Sequence, residues 1–136
     1  MAEFDIGQTF LDLKSTNLFR ATKGKYFIAM SEADYDDDFI VCFVLNSENR
    51  IDRYKFGCNK KHNKFILEPS TFSFLTNSTS IMLSQPACYK LAEMYQSNIK
   101  LLDKADITLC RQIKNCIDWN YIPDRLVNLI KTCFKK

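Results

Sequence analysis

The stretch Phe39-Ile40-Val41-Cys42-Phe43-Val44-Leu45 is a continuous run of β-branched, aromatic and other apolar residues. An acidic loop, residues 32–38, precedes it, and the turn-forming residues 46–49 follow it. A short apolar run that is bounded in this way is typical of a β-strand buried in the core. The sequence therefore predicts a buried strand here, which we call the central run because the other predicted strands lie on both sides of it in the sequence.

Shorter strands are predicted on both sides of this run. The nearest one directly follows the basic residue Lys25 and begins with Tyr26, Phe27 and Ile28. The predicted strands outside the central run cover residues 8–14, 26–31, 51–56, 64–67 and 79–83. Closely spaced short strands with polar turns are typical of a small barrel or a tightly coiled sheet.

The second half of the chain has helical patterns. Ser84-Gln85-Pro86 predicts the start of a short helix over residues 85–94, because proline suits the first turn of a helix. Asp103 is the predicted N-cap of a longer helix over residues 105–117, and Pro123-Asp124 opens a C-terminal helix. Together with the strands, this predicts an α+β fold with its helices packed in the C-terminal half.

Length and composition fit one domain over residues 1–136. With 46% hydrophobic residues, including 11 Phe, the chain can bury a core without metal or disulfide support. The formal charge of +3 permits contact with nucleic acid but does not require it. Because no apolar run approaches the roughly 20 residues of a membrane span, no membrane partner is expected.

The cysteine pattern bears on the compartment. The chain contains six Cys, but its first residues lack the basic and apolar regions of a secretory signal. Four of the six lie within strand or helix patterns, where a free thiol behaves as a small apolar group. We therefore expect reduced thiols and a cytoplasmic protein.

Basic residues cluster in two places, and aromatic residues interrupt the second cluster. Charge that tracks phosphates beside rings that stack on bases is typical of single-stranded nucleic-acid binding, although a solvated hairpin explains the same pattern. The candidate binding residues are Arg20, Lys23, Arg50, Arg53, Tyr54, Lys55, Lys60, Lys61 and His62. The acidic loop at residues 32–38 offers the alternative of docking a basic protein partner.

No metal or other cofactor is expected. The acidic loop lacks the glycine and terminal glutamate of an EF-hand loop. Cys58 and His62 have the spacing of half a zinc site, but no second pair of ligands follows.

The order of these segments resembles the PemK/MazF-like toxin family. The similarity begins at Ile6-Gly7-Gln8-Thr9-Phe10-Leu11 and continues through residues 23–31 and 39–47. It then follows strand, turn, strand and helix patterns over residues 65–94 and 105–117. In total it covers roughly residues 5–117 and leaves residues 118–136 as an additional C-terminal helix.

This resemblance implies an SH3-like β-barrel and a metal-independent endoribonuclease that acts on single-stranded RNA. It also implies a homodimer that is bound by an antitoxin protein. The family's Arg-Pro pair aligns with Lys25 and Tyr26, and its catalytic Thr aligns with Asn46 or, one residue later, Ser47. The candidate catalytic residues are therefore Lys25, Asn46 and Ser47. A non-catalytic nucleic-acid-binding module and a protein-interaction module are the alternatives, because Lys lacks the two-pronged grip of Arg on phosphate.

Overall fold

The computed structural model describes residues 5–13, 24–33, 38–92 and 99–134. In this part of the chain, strands precede two α-helices, as the sequence predicts for an α+β fold. The strands are β1 Gln8–Asp12, β2 Lys25–Ala29, β3 Phe39–Ser47, β4 Gly57–Asn59, β5 Lys64–Leu67, β6 Thr79–Lys90 and β7 Ile99–Lys104. The helices are α1 Ile107–Cys116 and α2 Asp124–Phe134. Of the described helices, none combines the length and the apolar character needed to cross a membrane.

The strands form one antiparallel sheet with the order β4-β5-β6-β3-β2-β1-β7. Strand β3 lies at its centre, paired with β2 on one side and with β6 on the other. Residues 39–45 are buried without interruption, since alternate side chains enter two different hydrophobic clusters. The prediction of a buried strand is confirmed, and its central position in the sheet is a finding of the structure.

The sheet is strongly curved, and its concave face holds one of the two clusters. Tyr89 on β6 and Phe10 on β1 are separated by two intervening strands, which would put them roughly 14 Å apart in a flat sheet. Their ring centroids are nevertheless 5.6 Å apart, and the Tyr89 hydroxyl donates to Asp12 Oδ2 at 2.8 Å. The sheet stays open, with β4 and β7 as its edges.

The other face of the sheet packs against the two helices. Ile113 and Cys116 of α1 and Ile130 of α2 are buried in the same cluster as Val41 and Phe43 of β3. The buried residues of each helix lie three to four positions apart, which is the spacing of one helical face. The two helices therefore cover one side of the central strand, and their position in the C-terminal half agrees with the prediction from sequence.

Gly7 sets how closely α1 approaches the sheet. Its φ is +89°, and its amide donates to the Ala29 carbonyl at 2.7 Å while its carbonyl accepts from the Ala105 amide at 2.9 Å. A Cβ atom at this position would lie 2.8 Å from both the Ala105 carbonyl oxygen and Cys110 Sγ. Glycine is therefore required by both the backbone conformation and the space.

The predicted helix over residues 85–94 is wrong for residues 85–90, because β6 continues to Lys90. Ala87 and Tyr89 are buried in the concave core, whereas Cys88 and Lys90 are exposed, so this segment has the alternation of a strand. Pro86 lies opposite Phe43, where the pairing register shifts, and proline is tolerated in sheets at such irregularities. Leu91 and Ala92, directly after the strand, are helical as predicted, and residues 93–94 lie outside the described residues.

Two smaller predictions are also wrong. Residues 51–56 contain a single 3-10 turn, Ile51–Arg53, rather than a strand. Helix α1 is capped by Asp106, whose Oδ1 accepts from the Leu109 amide at 2.8 Å. Asp103 belongs to β7 and instead accepts hydrogen bonds from the backbone amide and hydroxyl of Ser73, which lower the pKa of Asp103.

A disulfide joins Cys58 on β4 to Cys116 at the end of α1. The expectation of reduced thiols is therefore wrong for this pair, which is separated by 58 residues in the sequence and adjacent only in the fold. The cytoplasmic compartment stays a prediction. Cys42, Cys88, Cys110 and Cys133 form no disulfide in the described part of the chain.

We expect this disulfide to stabilise the folded state strongly, because it closes a long loop of the unfolded chain. Because the cross-link restricts the unfolded chain, Cys58→Ser/Cys116→Ser should lower the free energy of unfolding by about 4 kcal/mol. Urea unfolding without reductant measures the difference. Cys88→Ser is the control, since Cys88 is an exposed free thiol, and it should leave the midpoint unchanged. Equal stability of the double variant and the wild type would contradict the expected role of the bond.

Candidate nucleic-acid interface

The β4–β5 hairpin carries most of the predicted binding residues. Its two strands are joined by the 3-10 turn Lys60–His62, which ends at Asn63 in the left-handed conformation, with φ 55°. Asparagine adopts that conformation more readily than most residues, and the Asn63 amide donates to the Lys60 carbonyl at 3.2 Å. The tight turn places a series of basic side chains at one edge of the sheet.

These side chains surround an open groove of about 470 Å³, which we call the hairpin groove. It is lined by Arg53, Lys55, Cys58, Asn59, Lys60, Lys61 and His62. None of these residues is acidic. The ion pairs found in the described residues, Lys64–Glu48 and Lys104–Asp5, involve none of the groove's cations. The hairpin groove is thus a concentrated and exposed positive surface.

A hydrogen-bonded network centred on Glu48 supports the base of the hairpin. Glu48 Oε1 accepts from Lys64 Nζ at 2.9 Å and from the Ser80 hydroxyl at 2.6 Å, and Oε2 accepts from the Arg50 amide at 3.2 Å. Lys64 Nζ also donates to the Tyr54 hydroxyl at 3.3 Å. The network therefore links the end of β3, strands β5 and β6, and the loop that precedes the hairpin.

The charges in this network are stabilised in the folded state. Burial alone would raise the pKa of Glu48, but the hydrogen bonds from Ser80 and Lys64 outweigh it and lower that pKa. Burial would likewise lower the pKa of Lys64, but its hydrogen bonds to Glu48 and Tyr54 raise it. Lys64 is consequently neutralised by Glu48 and adds little to the positive surface of the hairpin groove.

Tyr54 and Arg50 are both predicted to bind nucleic acid, but in the structure each contacts neighbouring residues of the protein. The Tyr54 ring lies under Lys64 Nζ, 4.7 Å from the ring centroid, and contacts His62 edge to face at 5.2 Å. Its position is therefore set by packing on the hairpin. Arg50 is exposed and does not line the hairpin groove, and its backbone amide holds Glu48.

The candidate catalytic residues lie at the start of β2 and the end of β3, and they are divided between the two faces of the sheet. Tyr26 pairs with Leu45, so Lys25 and Asn46 follow at the same end of β2 and β3, on the concave face. Asp12 lies directly opposite Lys25 on β1. Ser47 points to the other face, where it lines a groove of about 70 Å³ with Tyr26 and residues 74–77.

The structure therefore brings Lys25 and Asn46 together and separates Ser47 from them. Asn46 pairs with Ser80, whose hydroxyl donates to Glu48, and Glu48 accepts from Lys64. These residues form a continuous row on the concave face that begins at Lys25, which we call the polar strip. Arg20 and Lys23 lie outside the described residues. The catalytic roles of Lys25, Asn46 and Ser47 remain predictions.

A second basic groove, between α1 and α2, is missing from the sequence-based candidates. It has a volume of about 280 Å³ and is lined by Lys114, Asn115, Trp119, Lys131 and Phe134. We call it the helical groove. Its residues are separated in the sequence, and the only signal for it is the presence of lysines and aromatic residues between positions 114 and 134.

Comparison of the chain with protein-family models, curated proteins and solved structures finds no match. The assignment of a function to these two grooves consequently depends on their geometry and chemistry.

The Glu48 network predicts a pH-dependent stability. Because the folded-state pKa of Glu48 is lowered, its contribution is present above the ordinary Glu value and is lost as the pH falls through the lowered pKa. Glu48→Gln should lower the free energy of unfolding at pH 7 by about 1.5–3 kcal/mol, and the deficit should shrink below about pH 4. Glu68→Gln is the control, because Glu68 is exposed. Urea unfolding from pH 7 to below pH 4 measures the loss of unfolding free energy in each variant. A loss in Glu48→Gln that stayed constant over this range would contradict the stabilising role of the Glu48 carboxylate.

Proposed function

We propose that this protein binds single-stranded RNA through the hairpin groove. The observation that carries the proposal is the convergence of Arg53, Lys55, Lys60, Lys61 and His62 around one open groove with no acidic residue in its described lining. Lysine and arginine that are free of carboxylate partners release counterions when they neutralise phosphates, and this release drives nucleic-acid binding.

An exposed aromatic ring beside the groove favours a single strand over a duplex. Phe56 is 48% exposed and lies between Lys55, which lines the groove, and the start of β4. A large exposed ring next to cations offers a surface for stacking on an unpaired base, and such stacking tolerates any sequence. The bases of a duplex are already stacked on one another and gain less from such a ring.

The salt dependence of binding tests this proposal. Lys60→Gln/Lys61→Gln removes two phosphate contacts, so the slope of log K against log salt should fall by about 1.4 for a single strand. Fluorescence anisotropy with a labelled oligouridylate at several salt concentrations gives the slope.

Lys90→Gln/Lys100→Gln is the matched control for charge. Both residues are exposed, and neither lines the hairpin groove. The control should bind with the affinity and slope of the wild type, apart from a small general effect of net charge. Absence of binding by the wild type at low salt, or equal losses in the two double variants, would reject the hairpin groove as the site.

A second candidate function is metal-independent cleavage of the bound RNA by a PemK/MazF-like SH3-type barrel. The observation that favours it is the placement of Lys25 and Asn46 side by side on the concave face, at one end of the polar strip. Lys25 would stabilise charge on the phosphate, and Asn46 would donate to a phosphate oxygen. On this hypothesis the partners are an antitoxin protein and a second copy of the chain.

Cleavage is tested with unstructured RNA in EDTA. The wild type should produce 2′,3′-cyclic phosphate ends, and Lys25→Ala and Asn46→Ala should each reduce the rate about 100-fold or more. Asn49→Ala is the control for Asn46, because Asn49 is an exposed turn residue after the same strand. Circular dichroism confirms that each variant folds. Product formation that is unchanged in Lys25→Ala would remove Lys25 from the mechanism.

A further inference from the structure

The helical groove combines cations with aromatic rings in a regular way. Lys131 Nζ lies 4.8 Å from the centroid of the Trp119 ring, and Lys114 Nζ lies 5.6 Å from that of Phe134. Asn115 adds an amide that can both donate and accept hydrogen bonds. None of the described lining residues is acidic. Each ring therefore has a face that attracts positive charge, and a flat ligand would have to displace the lysine that lies over it.

We propose that the helical groove is a base-stacking subsite for the same single-stranded RNA that occupies the hairpin groove. This inference rests on the proposed function and extends it. An unpaired base stacks on Trp119, and the displaced Lys131 ammonium contacts a neighbouring phosphate. Both interactions are the ones by which single-strand-binding proteins hold nucleic acid without regard to sequence.

The disulfide connects the two grooves. Cys58 lines the hairpin groove, and Cys116 directly follows Asn115, which lines the helical groove. The Cα atoms of the two cysteines are 5.5 Å apart, so the walls of the grooves are joined by a covalent bond. The two grooves are thus built on elements that are bonded to each other, β4 and α1, and on this proposal one strand of RNA contacts both.

Charge favours RNA over a peptide with an aromatic anchor. Between them the two grooves carry Arg53, Lys55, Lys60, Lys61, Lys114 and Lys131, and none of the residues that line them is acidic. A ligand with one negative charge per repeating unit matches such an arrangement along its whole length, and nucleic acid has this property. An acidic peptide is the competing ligand, and the experiment includes it.

Trp119 gives a direct readout, because it is the only Trp in the chain. Titration with unlabelled oligouridylate should quench its fluorescence, since a stacked base contacts the indole ring. Trp119→Ala should weaken the affinity for labelled oligouridylate roughly tenfold. Trp119→Phe keeps a ring for stacking and should retain most of the affinity.

A second variant covers the case in which Trp119→Ala fails to fold. Lys114→Gln/Lys131→Gln leaves the rings in place and removes the two cations of the helical groove. In this variant the slope of log K against log salt should fall by about 1.4, whereas in Lys90→Gln/Lys100→Gln the slope should stay that of the wild type. A slope equal to that of the wild type would overturn the inference.

The remaining outcomes separate the two proposals. If RNA binds without quenching Trp119 and only Lys60→Gln/Lys61→Gln weakens it, the helical groove is not a subsite and the hairpin groove stands. If no RNA binds at low salt, both proposals fail. If polyglutamate quenches Trp119 and oligouridylate does not, the helical groove binds an acidic peptide, and the inference is again overturned.

Discussion

The burial of β3 on both faces is the constraint on which the rest of the structure depends. A strand with apolar side chains on both sides must be covered twice, because each exposed face would leave a large apolar surface in water. The curved sheet covers one face through Phe10, Phe27 and Tyr89, and the two helices cover the other through Ile113 and Ile130. The curvature of the sheet and the position of the helices both follow from this requirement.

The polar residues begin where this apolar run ends. Past Leu45, the concave face carries Asn46 and then Glu48, whose carboxylate holds Lys64 and Ser80. A carboxylate that is partly buried needs such partners, because an unpaired one would lose its hydration without compensation. The network thereby fixes the base of the hairpin and leaves the remaining cations of the hairpin free to face solvent. Stability and the candidate binding surface are thus connected through one ion pair.

The sequence predicts the parts of the fold whose patterns are local. The central run and the apolar face of α2 are recognisable because each contains its own periodicity. The prediction of a helix that starts at residue 85 fails, because proline is compatible both with the first turn of a helix and with an irregular position in a strand. Only the pairing of Pro86 with Phe43 distinguishes the two. The candidate site divides in the same way: the basic hairpin is found as a local cluster, whereas the helical groove joins distant residues.

By itself, the sequence determined that residues 39–45 form a buried strand, that the fold is α+β, and that positive charge concentrates between Arg50 and Lys64. These properties depend on neighbouring residues, so composition and spacing are sufficient to reveal them. Only the tertiary structure decided that Cys58 bonds Cys116, that Glu48 neutralises Lys64, and that Ser47 faces away from Lys25. Each of these depends on strand register and on helix docking, and both result from packing that is spread over the whole chain.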